Sequence, residues 1–227
     1  MQLTLYVAKP ESVRFIGASP PSWMCALLLE DKGLPHTRVE LDFAAGEHRS
    51  AEMLELNPRG TIPVLVERLD DGDVAVHETF AILEYIEWRA PGHLPAAPRS
   101  RAAASTRFHE SSELKAAGMR ALAYLMRTSE DLRDAEILRR DGELLATELD
   151  RWEGYLANEA TWLAGEGPSL ADFAVFAYVA TLHQLGLELT RWPALAEHHA
   201  RLAERPSVRA TWPSAWGDRA ARCPWPI

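Results

Sequence analysis

The stretch from Asn57 to Trp88, NPRGTIPVLVERLDDGDVAVHETFAILEYIEW, limits the possible fold more than any other part of the chain. Asn57-Pro58-Arg59-Gly60 carries turn chemistry at both ends, with proline fixing φ and glycine admitting φ > 0. The turn leads into Ile62-Pro63-Val64-Leu65-Val66, an apolar and β-branched run that reads as a strand. Pro63 has no N–H for a sheet ladder, so it belongs at the start of that strand or on an edge. Asp71-Gly72 is a hairpin signal, and Val74 to Val76 is the returning strand. Beyond His77-Glu78-Thr79 the apolar residues Ala81, Ile82, Tyr85 and Ile86 recur at helical spacing. Thr79 is the expected N-cap, and Pro91-Gly92 ends the helix.

Two motifs within this stretch, Asn57-Pro58-Arg59-Gly60-Thr61-Ile62-Pro63-Val64-Leu65 and Glu78-Thr79, resemble the glutathione-binding half of the cytosolic glutathione transferases. The resemblance implies a thioredoxin-like domain with a cis peptide before Pro63. It also implies that the main chain of Ile62 faces the cysteinyl backbone of glutathione, and that Glu78 and Thr79 hold its γ-glutamyl end. Family members place Glu-Ser at the latter position, and threonine keeps the hydroxyl. A helix N-terminus offers N–H groups and partial positive charge to such a carboxylate. Without the resemblance, the stretch is a β-hairpin followed by a helix.

At 227 residues the chain has room for one or two cores. A formal net charge of −9 argues against a nucleic-acid groove or a polybasic membrane patch. No apolar run is long enough to span a bilayer, and the opening MQLTLYVAKPES lacks the basic region of a signal peptide. Cys25 and Cys223 are the only cysteines, a usage that fits a reducing cytoplasm. The histidines show no metal-ligand spacing, and His198-His199 reads as part of a helix surface.

Leu3, Leu5 and Val7 alternate with polar neighbours in a first strand, and Lys9 to Pro21 is a proline-punctuated loop. A helix is expected from Ser22 or Trp23 to Lys32 with Gly33 as its C-terminal stop. Another strand is expected from His36 to Phe43, then a short helix through Glu52 to Leu56. This strand–helix order is that of a small α/β sandwich. The composition shifts after residue 92. A linker over 93–98 is followed by helical patterns over 99–227, so the expected architecture is a thioredoxin-like domain (1–92) plus an all-α bundle, the glutathione transferase fold. Leu170 to Leu185 is apolar nearly all round and belongs in the middle of the bundle. It opens with Ser169 and Asp172, a capping box that is also a family motif.

A glutathione transferase must hold the tripeptide's sulfur as thiolate, although a free thiol has a pKa of about 8.5. In the theta and zeta classes, a serine at the start of the first helix donates to it. The theta-like pattern Ser-x-Pro-Cys falls on Ser19-Pro20-Pro21-Ser22, making Ser19 the first candidate. The loop is longer than usual for the family, so Ser12 and Ser22 are alternatives, and Tyr6 is a further one by analogy with the tyrosine classes. Ser19 or Ser22 acting only as a helix cap is the plain structural reading. Cys25 lies inside the predicted helix and reads as a small core residue. Gly46-Glu47-His48-Arg49-Ser50 has theta-class spacing, which implies that His48 meets the glycyl carboxylate; otherwise it is a solvated loop histidine. Thr61 stands where many members carry Lys or Gln, and Arg14 or Arg59 are possible substitutes for that anion contact. His109 and Tyr124 on the first long helix, and Trp216 in the tail, are candidates for the electrophile pocket or else ordinary packing residues.

The resemblance therefore implies a cytoplasmic, homodimeric enzyme, with no metal, that conjugates glutathione to a hydrophobic electrophile. The alternatives are a non-catalytic homologue that binds glutathione or a protein, and a glutathione-dependent dehalogenase, isomerase or ether-cleaving enzyme.

Overall fold

The computed structural model describes residues 2–13, 16–158, 161–216, 223, 225 and 227; Arg14 lies outside them. Its first compact unit is built on a four-stranded sheet in the order β2-β1-β3-β4, with β1 Gln2–Ala8, β2 His36–Leu41, β3 Val64–Leu69 and β4 Gly72–His77. β1 runs parallel to β2 and antiparallel to β3, and β3 pairs antiparallel with β4. Pro63 immediately precedes β3, where its missing N–H costs no ladder bond.

Alternation along the strands sorts side chains between two layers. Leu3, Leu5, Val7 and Leu65 are buried on one face, which carries α1 (Pro20–Asp31) and α3 (Thr79–Arg89). Val64 and Val66 on the other face pack with Tyr6, Leu41, Leu56 and Ile62 around Met53 of α2 (Ala51–Leu56). The first helix starts at Pro20, earlier than the sequence suggests. Prolines suit the first helical positions, where an N–H would have no intrahelical acceptor. Residues Trp23 to Leu29 are all buried, so α1 is a central element of this unit.

Two ionic clusters fix the end of α1. Lys32 Nζ lies 2.6 Å from Glu87 Oε2 and also donates to the Ala90 carbonyl, and Glu87 Oε1 accepts from the Gly92 amide at 2.9 Å. Asp31 accepts from Arg205 Nε at 2.8 Å, Arg205 Nη2 at 2.9 Å and Ser207 Oγ at 2.5 Å. The latter cluster brings in α8 (Pro206–Thr211) from the far end of the chain. The compact units are accordingly Met1–Gly92 with Glu204–Gly217, and His93–Ala203 with Asp218–Ile227. Compact packing thus groups α8 with the first unit, whereas helical patterning alone groups it with the other helices of 99–227. Local periodicity identifies α8 as a helix, but not the distant carboxylate that captures it.

The second unit contains α4 (Pro98–Arg127), α5 (Ala135–Asn158), α6 (Leu170–Gln184) and α7 (Pro193–Ala203). α6 is buried from Leu170 to Leu182. The Ser169–Asp172 capping box forms. The fully buried Asp172 carboxylate accepts from Leu163 N at 2.9 Å, Ser169 N at 2.7 Å, Ser169 Oγ at 2.7 Å and His198 Nε2 at 2.9 Å. His198 is thus a core residue, contrary to the surface position expected from sequence. A lone carboxylate in an apolar bundle is costly unless donors surround it, and the histidine supplies one from a different helix. His199 packs against Phe176 and His183, with ring centroids 5.3 and 5.2 Å away. Burial, reinforced by His183 and His198, pushes its pKa down to about 4.

These clusters yield two expectations. Lys32→Met leaves Glu87 buried without its cation and should cost about 3–5 kcal/mol in denaturant unfolding, most of it recovered in Lys32→Met/Glu87→Leu. His199 takes up its proton more readily in the unfolded chain, so its contribution to stability falls as pH drops from about 6.5 toward 4, by about 3 kcal/mol in all. His199→Phe should flatten that acid limb, as measured by denaturant midpoints at pH 7 and pH ~4.5.

Candidate functional site

The register of the sheet decides which loops meet. Ala8 pairs with Leu41, Tyr6 with Val64, and Val64 with His77. The C-terminal ends of β1, β2 and β4 and the N-terminal end of β3 therefore lie along one edge. The segments attached there are the loop to Ser19, the loop holding His48, the turn through Thr61-Ile62-Pro63, and Glu78-Thr79. The helices α1 and α3 also begin at this end.

Ser19 is the N-cap residue of α1, in extended conformation, but its side chain makes no capping bond. Its carbonyl accepts from the Trp23 amide at 2.9 Å. Because Pro20 and Pro21 follow, Ser22 is the first residue of α1 with an amide hydrogen. Ser22 is 4% exposed and its Oγ has no hydrogen-bond partner. Both serines line one cleft together with Val7, Ala8, Ala18 and Trp23. Ser12 is placed differently: its hydroxyl donates to the Lys9 carbonyl at 2.7 Å and accepts from the Phe43 amide at 3.0 Å. It ties the loop after β1 to the chain after β2. Tyr6 lies on the α2 face of the sheet, opposite α1.

His48 is not a solvated loop residue. It is 5% exposed, and its ring stacks on Phe43 with centroids 4.1 Å apart and planes within 12°. Its Nδ1 is buried without a hydrogen-bond partner, and burial, with Arg49 adjacent, lowers its pKa.

The Ile62–Pro63 peptide is cis, as the resemblance implies. The Thr61 hydroxyl accepts from Asn57 Nδ2 at 3.0 Å, so this side chain is engaged within its own turn. Gly60 adopts φ +58, which favours glycine, and a Cβ there would crowd Arg49 Cγ at 3.1 Å and Leu54 Cδ2 at 3.2 Å. Asn57 is the residue that sequence reasoning underrated: its turn propensity was legible, but not the bonds made by its buried amide.

Glu78, not Thr79, is the N-cap residue of α3, and Thr79 is the first helical residue. Glu78 has φ 71 and ψ 123, a conformation unusual for a side-chain-bearing residue, and residues held this way cluster at functional sites. Its side chain makes no cap bond; it is largely exposed, with Oε1 3.8 Å from Arg59 Nε.

The three electrophile-pocket candidates fall in two different units, His109 and Tyr124 in the second and Trp216 in the first. His109 lies in a shallow groove on α4 with Ser105, Thr106, Glu110 and Glu113. Tyr124 Oη accepts from the Asp134 amide at 2.8 Å, bridging the turn into α5. Trp216 belongs to the first unit and is 2% exposed, with Nε1 donating to the Ile16 carbonyl at 2.8 Å. Its ring centroid is 5.1 Å from that of Trp23 and 5.0 Å from that of Trp212. The Cys25 thiol is fully buried and its pKa is raised by that burial, as for a core residue. No group of His, Cys, Asp and Glu among the described residues has metal-binding geometry.

Comparison with known proteins matches two stretches of the chain. Residues 18–89 match the family model "Glutathione S-transferase, N-terminal domain", and residues 118–211 match "Glutathione S-transferase, C-terminal domain". The sequence is 34% identical over 216 residues to glutathione S-transferase A of Pleuronectes platessa, covering 92% of this chain and 94% of that protein. It is 28% identical over 189 residues to glutathione S-transferase GstB of Escherichia coli strain K12, covering 81% and 88% respectively. A solved glutathione S-transferase from the Antarctic clam Laternula elliptica superposes with a TM-score of 0.84 at 28% identity, covering 100% of this chain and 98% of that one. With the sheet edge, the cis peptide and both domain models in agreement, this chain belongs to the glutathione S-transferase family and is a glutathione transferase.

Proposed function

We propose that this transferase is of the serine type, similar to the theta and zeta classes, with Ser19 donating to the glutathione sulfur. The observation that carries the reading is the free capping position: the Ser19 side chain makes no cap bond although it precedes the helix. Its hydroxyl is therefore available to donate outward. Ser22 contributes the first amide of α1 from beside it. Lowering a thiol pKa of about 8.5 by roughly two units takes about 2.7 kcal/mol of preference for the thiolate, within reach of one donated bond plus a helix N-terminus. The glutathione backbone lies across Ile62, its γ-glutamyl end at Glu78 and Thr79, and its glycyl carboxylate at His48. Burial, with Arg49 adjacent, lowers the His48 pKa and so favours the neutral imidazole, which can still offer one N–H as donor.

The co-substrate is a hydrophobic electrophile, attacked by the thiolate in a detoxifying conjugation. A cytoplasmic setting is supported by two unpaired, buried thiols, and a homodimer by the family resemblance. Light scattering at micromolar concentration should give twice the chain mass. The non-catalytic reading is less favoured, because the relatives compared are transferases along nearly their full length.

The test of the serine assignment is thiolate absorbance of bound glutathione against pH. Ser19→Ala should raise the bound-thiol pKa by about two units while changing glutathione affinity less than about threefold. Ser12→Ala should leave that pKa unchanged, since its hydroxyl is occupied by main chain on both sides. An unaltered pKa in Ser19→Ala would sink the assignment, and a shift in Ser22→Ala instead would move the role there. His48→Ala should weaken glutathione binding about tenfold at pH ~8, as measured by titration calorimetry.

A further inference from the structure

Asn57 is 1% exposed, and its side-chain amide is fully used within its own turn. Nδ2 donates to the Thr61 carbonyl at 2.7 Å and to the Thr61 hydroxyl at 3.0 Å, and Oδ1 accepts from the Arg59 amide at 3.1 Å. These partners fix which end of the amide is which, since a carbonyl only accepts and a main-chain N–H only donates. The Asn57 main chain is held as well. Its N–H donates to the Met53 carbonyl at 2.8 Å, and its carbonyl accepts from the Gly60 amide at 2.9 Å.

The consequence falls on the next peptide. The unit joining Thr61 to Ile62 is trans and planar, so its carbonyl oxygen and its amide hydrogen point in opposite directions. Anchoring the Thr61 oxygen on the buried Asn57 amide therefore turns the Ile62 N–H away from the interior of the turn. An aliphatic residue could fill the space of Asn57 without the desolvation that a buried amide entails, but it could not set that direction.

We infer that Asn57 is a positioning residue of the glutathione site: by holding the Thr61 carbonyl it aims the Ile62 N–H at the cysteinyl backbone of glutathione. The inference rests on the reading that puts the tripeptide across Ile62. It assigns Asn57 to affinity and leaves activation of the sulfur to the start of α1. Thr61 has a lesser part, since its main-chain oxygen carries the orientation and its hydroxyl only adds a second bond to the same nitrogen.

The test uses the full-length enzyme with glutathione and a standard chromogenic electrophile. Asn57→Asp keeps an acceptor for Arg59 but turns a second oxygen toward the Thr61 carbonyl, so the peptide should rotate. Expected are a rise of about tenfold or more in Kd and KM for glutathione, kcat at saturating glutathione within about twofold, and an unchanged bound-thiol pKa. Thr61→Val, which preserves the carbonyl bond, should shift Kd less than about threefold. Independent of any variant, the Ile62 amide of the unaltered enzyme should gain hydrogen-exchange protection when glutathione is added, and this decides the matter if Asn57→Asp does not fold. Unprotected Ile62, or an Asn57→Asp enzyme that loses thermal stability and kcat at unchanged Kd, overturns the inference. Glu78→Gln separates the two levels of the argument. If it weakens binding while Asn57→Asp does not, only the role of Asn57 fails; if neither does, the placement of glutathione itself is wrong.

Discussion

The mixed pairing of β1 is the constraint on which the first unit depends. A strand parallel to one neighbour and antiparallel to the other opens three strand ends and one strand start toward a single edge. Every segment that carries candidate glutathione contacts is attached to that edge, although the segments are far apart in sequence. The same pairing leaves a crossover of helix between β1 and β2, and that helix must lie on the sheet with its N-terminus at the edge in question. Layering, register and the position of Ser19 are thus consequences of one arrangement. A one-residue slip in β3 would exchange Val64 and Leu65 between the two cores and carry the turn before it out of place.

Holding that arrangement falls to buried charged groups as much as to apolar packing. Glu87, Glu67 and Asp172 are buried and the Asp31 side chain is largely covered, and each joins segments that the backbone alone leaves separate. Glu67 accepts from Tyr85 Oη at 2.6 Å and Arg89 Nη2 at 2.8 Å, so the middle of β3 is coupled to α3 through a carboxylate. Burial, together with that hydrogen bond, pushes the Tyr85 phenol up to about 12 and keeps it a donor throughout the working pH range. Such pairs are expensive to break and of modest net benefit when intact, so their effect is to exclude other packings of the same helices.

What the sequence made legible follows from the range of the forces involved. Turn chemistry, alternation and helical period are local, and they place β1, the hairpin of β3 and β4, α3 and the apolar α6 near their observed positions. The cis peptide before Pro63 and the glycine at Gly60 were also accessible, since both belong to a short motif. Partners distant in sequence were not. Nothing near Arg205 announces Asp31, and nothing near His198 announces Asp172, so the contact that holds α8 was not legible and a core histidine was assigned to the surface. At the site, Ser12 and Ser22 looked equivalent on paper. The structure separates them by what already occupies their hydroxyls: two main-chain groups for Ser12, none for Ser22. Thr79 looked like a cap because of its residue type, but the chain enters α3 one residue earlier, through the positive φ of Glu78.

The two prolines after Ser19 sharpen the division between binding and activation. A helix start ordinarily offers several main-chain N–H groups to an anion, and here the first two helical positions offer none. On the proposed placement of glutathione, the sulfur end would therefore be poor in main-chain donors and depend on hydroxyl chemistry. The same proposal gives the peptide end a donor set by the turn ahead of β3 and the γ-glutamyl end the first turn of α3. Under that proposal, removing a hydroxyl near α1 would change the preference for thiolate over thiol, whereas disturbing the turn would change how well either form is held. The sheet edge places these elements together, but separate local structures tune them, so affinity and thiol activation can vary independently in this fold.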